Sequence, residues 1–254
     1  MAKWAVITGA SSGIGKEIAK LLSKRGYSLV LVARRRDKLE ELEKELVSET
    51  EIISADLSER AECEKLMERL SDREVEVLIN NAGFGDCGAF SETDIQKELN
   101  MIGVNVTAMH LLMKLMLKKM QESGKGYILN TASSAGLLPG GPYMATYYAT
   151  KAYVTSITLA VARELEEAKS PVYVGCLCPG PVDTEFNAVA NVEFALKGIS
   201  AEYCADYAVK KMFKKKTIIV PSLQLKLAVF FSRFVSRKGL AKMAGSQQKK
   251  KLGK

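Results

Sequence analysis

The chain has 254 residues, 47% of them hydrophobic, and a formal net charge of +8. This size and apolar content fit one full-sized domain with a substantial core. A single histidine, His110, speaks against a Ser-His-Asp hydrolase or a histidine-rich metal site, and the five cysteines follow neither a disulfide framework nor zinc-ligand spacing.

The charge is uneven. Residues 210–254 hold fourteen Lys and Arg and no Asp or Glu, which leaves 23 bases against 29 acids in the rest. A mildly acidic body thus carries a strongly basic C-terminal segment. The opening MAKWAVITGA enters a strand-like run at once, so no signal peptide is expected. No uninterrupted apolar stretch is long enough to span a bilayer. A reducing, cytoplasmic setting is the expectation.

Apolar, β-rich runs alternate with stretches of helical spacing. A run at residues 4–8 is followed by a helix over 14–25, a run at 28–33 by a helix over 37–47, and a run at 51–54 by a helix over 59–70. The run 77–80 leads to a long helix over 92–120, and 126–132 to a helix over 145–169. His110 sits in that long helix and reads as buried and structural. The runs 172–178 and 217–220 complete the series, with 187–197 and 201–211 between them as helices or a lid. Cys176 and Cys178 lie in an apolar run and read as strand, not as a redox or metal pair. Most runs are apolar on both faces, as strands covered by helices on each side should be. The repeated β-α-β units predict a doubly wound, Rossmann-type parallel sheet of about seven strands with helices on both faces. Residues 1–222 read as the catalytic domain, including a substrate lid over 184–212. Residues 223–254 read as an amphipathic helix and basic tail, part of that domain or an extension of it.

Between the first run and first helix stands Thr8-Gly9-Ala10-Ser11-Ser12-Gly13-Ile14-Gly15. A glycine-rich turn lets backbone approach a pyrophosphate, and the helix N-terminus presents free N–H groups to that anion. The spacing is Gly-x-x-x-Gly-x-Gly, not the more widespread G-x-G-x-x-G. The second run ends at Ala33 and is followed by Arg34, Arg35 and Arg36, with no acid before Asp37. An acid here would grip a ribose 2′-hydroxyl, whereas guanidinium suits a 2′-phosphate. NADP(H) is therefore expected over NAD(H).

Downstream, Tyr147 and Lys151 lie four residues apart, fourteen residues and more after Ser133. Residues i and i+4 share one helix face, so both side chains point into one pocket. A free phenol has a pKa of about 10, too high for easy proton exchange near neutrality. An ammonium ~4 Å away contributes about 4 kcal/mol at an effective dielectric of 20, enough to lower it. Tyr148 has no lysine at i+4 and is the weaker candidate. Ser134 competes with Ser133.

With these motifs in this order, residues 3–220 resemble the single-domain short-chain dehydrogenase/reductase family. The resemblance implies a cofactor site of Gly9, Ser11, Ser12, Gly13, Ile14, Gly15, Arg34, Arg35, Asp56, Leu57, Asn81, Ala82, Gly83, Tyr147, Lys151, Pro179, Gly180, Val182 and Thr184. It also implies a catalytic set of Asn105, Ser133, Tyr147 and Lys151. In that set Tyr147 is the general acid/base and Ser133 holds the substrate oxygen. Lys151 holds the nicotinamide ribose, and Asn105 anchors a proton-relaying water. The alignment of Ser133-x-Ala135-Gly136 with the family's ending favours Ser133 over Ser134.

The leading expectation is a carbonyl reductase or alcohol dehydrogenase acting on a small apolar molecule such as a ketone or 3-oxoacyl chain. A catalytically silent dinucleotide-binding sensor or scaffold is the alternative, and epimerisation or dehydration on the same fold is a third reading. Tyr143, Met144 and Phe186 line a substrate pocket or pack in the core. No metal and no nucleic acid are expected. A homodimer or homotetramer is expected through the helices over 92–120 and 145–169. Residues 223–235 combine Leu, Val and Phe with Lys226 and Arg233. They read either as packing, with Lys249–Lys251 solvated and disordered, or as a peripheral contact with an anionic membrane surface.

Overall fold

The computed structural model describes residues 3–186 and 198–251. Seven parallel strands form one sheet in the order β3-β2-β1-β4-β5-β6-β9. They are β1 (Trp4–Thr8), β2 (Ser28–Ala33), β3 (Thr50–Ser54), β4 (Val75–Asn80), β5 (Tyr127–Thr131), β6 (Tyr173–Leu177) and β9 (Ile218–Ile219). The remaining strands, β7 (Val182–Asp183) and β8 (Ile199–Ser200), pair with each other. The strand order reverses between β1 and β4, so a crevice opens beyond the carboxyl ends of these strands. The doubly wound fold expected from the alternating pattern is the fold observed.

Strand residues alternate between two cores, as the twofold pleat requires. Ala5, Ile7, Leu29 and Leu31 pack against α1 (Gly13–Ser23), α2 (Arg36–Glu43) and α7 (Ala201–Phe213). Val6, Val30, Val32 and Leu78 pack against α3 (Arg60–Arg69), α5 (Met109–Glu122) and α6 (Ala145–Glu167). Cys176 and Cys178 are fully buried with their sulfurs 3.7 Å apart. This contact and burial push the Cys176 thiol well up, as suits a packing residue.

The long helix is less regular than its spacing predicts. α4 (Ile95–Ile102) runs through a π-helical turn, Gly103–Ala108, into α5. Asp94 caps α4 by accepting from the Lys97 N–H at 2.7 Å. The whole helix, Ile95–Glu122, is long and apolar enough to cross a membrane. Part of its apolar surface is used in packing: Met101, Ala108, Met109, Leu112, Met113, Met116 and Met120 are buried, whereas Ile95, Leu99, Ile102 and Leu115 are exposed. His110 departs from the expectation of burial. It lies half-buried, with Nδ1 2.7 Å from the Tyr153 hydroxyl on α6.

After β9 the chain forms α8 (Leu223–Phe231), a 3₁₀ turn (Ser232–Phe234) and α9 (Arg237–Lys251). The reading of Lys249–Lys251 as disordered is corrected: these residues end α9, which returns across Pro142, Tyr143 and Tyr148. The stretch 187–197, with its apolar Val189, Val192, Phe194, Ala195 and Leu196, lies outside the described residues.

Candidate active site

Apart from Tyr147 and Lys151, which lie on α6, the residues expected in the cofactor site follow the carboxyl ends of the strands, in the loops and first helical turns after them or on the β7 segment following β6. The turn after β1 has the geometry its glycines suggest. Gly9 and Gly13 adopt φ of +66° and +55°, which a side chain rarely tolerates. A Cβ on Gly15 would stand 2.3 Å from the Gly9 carbonyl oxygen. Ser12 precedes the first turn of α1 with no side-chain cap, and Ile14 packs inward. The α1 N-terminus thus faces the crevice with its N–H groups open to an anion, which fits a dinucleotide pyrophosphate.

Asn81 ties this turn to the rest of the site. Its Nδ2 donates to the carbonyls of Thr8 and Gly9, each at 3.2 Å, and its Oδ1 accepts from the Thr131 hydroxyl at 3.3 Å. The Thr8 hydroxyl oxygen accepts from the N–H groups of Asn81 and Ala82, both at 3.0 Å. The Thr131 carbonyl in turn accepts from Lys151 Nζ at 2.8 Å. One polar network therefore joins the glycine turn, the ends of β4 and β5, and α6. Thr8 was read only as the start of the glycine motif, and Thr131 not at all, because a threonine in a strand carries no distinguishing signal.

Ser133, Tyr147 and Lys151 are all buried and come together. Ser133 faces the Tyr147 phenol, and its Oγ accepts from the Ala135 N–H at 3.1 Å. Lys151 Nζ lies 5.8 Å from the Tyr147 ring centroid. Burial pushes the Tyr147 phenol up to about 12, against a downward pull from Ser133. Burial also pushes the Lys151 amine down to about 8. This corrects the expectation that Lys151 lowers the phenol. In the protein alone, desolvation dominates both groups, and Tyr147 is held in its acid form.

Asn105 is buried at the π-helical turn. Its Nδ2 donates to the Phe84 carbonyl at 2.9 Å and the Thr150 hydroxyl at 3.1 Å, and its Oδ1 accepts from the Phe84 N–H at 3.1 Å. A Cβ on Gly83 would meet Asn105 Oδ1 at 2.8 Å and Lys151 Nζ at 3.3 Å. Asn105 thus holds the Gly83–Phe84 turn beside Lys151. Both Nδ2 protons are thereby used, while Oδ1 keeps a second lone pair. Such π turns recur at functional sites, where one extra residue re-aims a helix face.

At the basic end, Arg34 is exposed, with Nη1 3.8 Å from Asp56. Burial raises the Asp56 carboxyl, but hydrogen bonds from the Ser58 N–H and hydroxyl and the Arg34 charge outweigh it, and the net direction is down. Leu57 is buried in the core behind it. Arg35 is not free: Nη2 donates to Ser11 Oγ at 3.2 Å and pairs with Glu185 at 2.7 Å. That pair holds the Glu185 carboxyl low. Glu185 was missed because its partner is 150 residues away.

On the β6 side, the Pro179 carbonyl accepts from the Ser134 N–H at 2.8 Å, Gly180 faces Leu225, and Val182 is buried. The Thr184 methyl group lies against Gly13. Phe186 packs on Tyr147 with ring centroids 5.5 Å apart. Tyr143, with φ +66°, holds a conformation costly for a bulky residue just before α6. Gln248, from α9, is 3% exposed and donates to the Tyr148 hydroxyl at 3.1 Å. A glutamine in a lysine-rich run offered no signal of this.

Comparison with known proteins identifies the family and the fold. An uncharacterized oxidoreductase of Staphylococcus epidermidis is 34% identical over 72% of this chain and 79% of its own length. Very-long-chain 3-oxoacyl-CoA reductase-A of Danio rerio is 36% identical over 61% of this chain, and the match spans 50% of that protein. Inactive hydroxysteroid dehydrogenase-like protein 1 of Homo sapiens is 34% identical over 74% of this chain and 58% of its own. Among solved structures, a short-chain dehydrogenase from Sphingobium yanoikuyae in complex with NADPH has a TM-score of 0.82 and 30% identity, covering 95% of this chain and 96% of that one. A short chain dehydrogenase/reductase from Burkholderia phymatum in complex with NAD has a TM-score of 0.83 and 26% identity, covering 92% and 93%. The short chain dehydrogenase family model matches residues 3–193, and the chain belongs to that family of oxidoreductases.

Proposed function

We propose that the chain is an NADP(H)-dependent oxidoreductase that moves a hydride between the nicotinamide and a carbonyl or secondary alcohol carbon of an apolar substrate. The observation that carries this reading is the meeting of Ser133, Tyr147 and Lys151 beside a glycine turn that fits a dinucleotide. A bound nicotinamide dinucleotide supplies or accepts the hydride. In reduction, the carbonyl π electrons move to oxygen and Tyr147 donates its phenolic proton there, while Ser133 hydrogen-bonds the same oxygen. Lys151, fixed by Thr131, places a cation behind the phenol and balances the phenolate left after transfer. In oxidation the same proton moves the other way.

Arg34 and Arg35 support the phosphorylated cofactor, since no acid stands between Ala33 and Asp37. The apolar cluster around Tyr147, including Met101, Met144, Tyr148 and Phe186, supports an apolar ketone or 3-oxoacyl chain. A second copy of the chain is proposed against α4, where Ile95, Leu99 and Ile102 form an exposed apolar stripe at helical spacing. The test is oxidation of NADPH and NADH with a panel of ketones, diketones and 3-oxoacyl thioesters, compared by kcat/KM. Turnover that prefers NADPH supports the proposal. Dinucleotide binding without turnover of any carbonyl identifies a silent binding module instead.

A further inference from the structure

α8 and the 3₁₀ turn that follows it stand apart from the rest of the fold. None of the nine residues of α8 is buried, although most are apolar. Leu223, Leu227, Phe230, Phe231 and Phe234 recur at helical spacing, which places them on one face. That face is open to solvent: these side chains are 70%, 51%, 51%, 60% and 77% exposed. On the opposite side, Leu225 packs against the core and lies over Gly180. The helix is therefore anchored by its inner side while a row of large apolar groups points away. The rings of Phe231 and Phe234 each meet Phe230 edge to face, at 5.4 and 6.0 Å.

The bases near this stripe decide what covers it. Arg233 lies over the Phe230 ring, Lys226 of α8 donates to the Tyr207 hydroxyl, Arg237, Lys238 and Lys242 follow closely along the chain, and no acid occurs from residue 207 onward. A second copy apposed on the same face would bring bases against bases, which is unfavourable. An anionic lipid surface meets both features: the rings enter the boundary between head groups and chains, and the bases stay among the phosphates. We propose that the outward face of α8 and its 3₁₀ turn seats this protein on an anionic membrane surface. The same segment is one wall of a cleft of about 410 Å³, with Arg233, Val235 and Arg237 facing Gly136–Pro139. That opposite wall begins three residues beyond Ser133.

The test is co-sedimentation of the full chain with vesicles of phosphatidylcholine, alone or mixed with phosphatidylserine. It compares wild type with Phe230→Ser/Phe231→Ser/Phe234→Ser and with Arg233→Gln/Arg237→Gln/Lys238→Gln. All six positions are exposed, so melting temperature and dinucleotide binding serve as controls for an intact fold. Each base near the surface multiplies affinity about fivefold, so the basic variant should lose binding by about a hundredfold. Wild type should pellet with the phosphatidylserine vesicles and be released between about 0.1 and 0.5 M salt. The aromatic variant should stay in solution. Equal pelleting of wild type and aromatic variant, or no pelleting of wild type, overturns the proposal. So does a change in the aromatic variant's sedimentation coefficient without lipid, which would show that a second copy covers the stripe.

Discussion

Gln248 reaches back 100 residues to donate a 3.1 Å hydrogen bond to the hydroxyl of Tyr148, whose ring packs edge to face on Tyr147. The basic C-terminal segment is thereby fastened to the residue next to the proposed acid. Replacing Gln248 by Leu leaves the Tyr148 hydroxyl buried without this partner, at about 1–3 kcal/mol. Hydrogen exchange in α9 should rise by about five- to a hundredfold while the β-sheet core stays protected. Unchanged exchange in α9 would show that the contact does not hold the helix.

Tyr147→Phe removes one hydroxyl and leaves the ring packed against Phe186. Turnover should fall by at least about a hundredfold, the usual contribution of a general acid. Dinucleotide affinity and melting temperature should stay close to wild type. Retention of more than a few per cent of kcat would remove Tyr147 from its role.

Arg34 is exposed and Arg35 is engaged by Glu185, so the two should affect cofactor choice differently. Arg34→Asp should weaken NADPH binding about ten- to a hundredfold and change NADH little. Glu185→Gln releases Arg35 from its carboxylate and should tighten NADPH relative to NADH by up to about fivefold, the scale of an exposed ion pair. Titration of both cofactors against both variants reads this directly. Equal losses for the two cofactors would show that neither arginine reads the 2′-phosphate.

Lys151 is a buried amine whose pKa is pushed down to about 8 from an ordinary 10.5. Below pH 8 both folded and unfolded chains carry the charge, and the folded one bears its full desolvation penalty. Between pH 8 and 10.5 the folded chain sheds the proton first, so the penalty fades as pH rises. Lys151→Met should therefore abolish activity yet stabilise the protein without cofactor at neutral pH. That gain should shrink toward pH 10.5 in denaturant titrations. A variant less stable than wild type at pH 7 would show that the Thr131 contact outweighs burial of the charge.

Much of this site was legible because its signals are local. Gly9, Gly13 and Gly15 are dictated by a turn geometry that few other residues tolerate. The Tyr147/Lys151 spacing converts directly into a shared helix face, and the alternating apolar runs specify a covered parallel sheet through the twofold pleat and the 3.6-residue turn. The direction of the Tyr147 shift was not legible. It depends on how far water is excluded around both groups, and that follows from Phe186, Tyr148 and Met144 closing over them.

Sequence alone therefore determined the sheet, the cofactor turn and the residue types that meet at its carboxyl edge, because backbone geometry and periodicity act over a few residues. Tertiary structure decided which charges neutralise one another and which surfaces stay open. The Arg35–Glu185 pair, the Thr131–Lys151 contact, the return of Gln248 to Tyr148 and the bare stripe of α8 all depend on how distant segments pack. Electrostatics and burial are properties of that three-dimensional neighbourhood, to which spacing along the chain is blind.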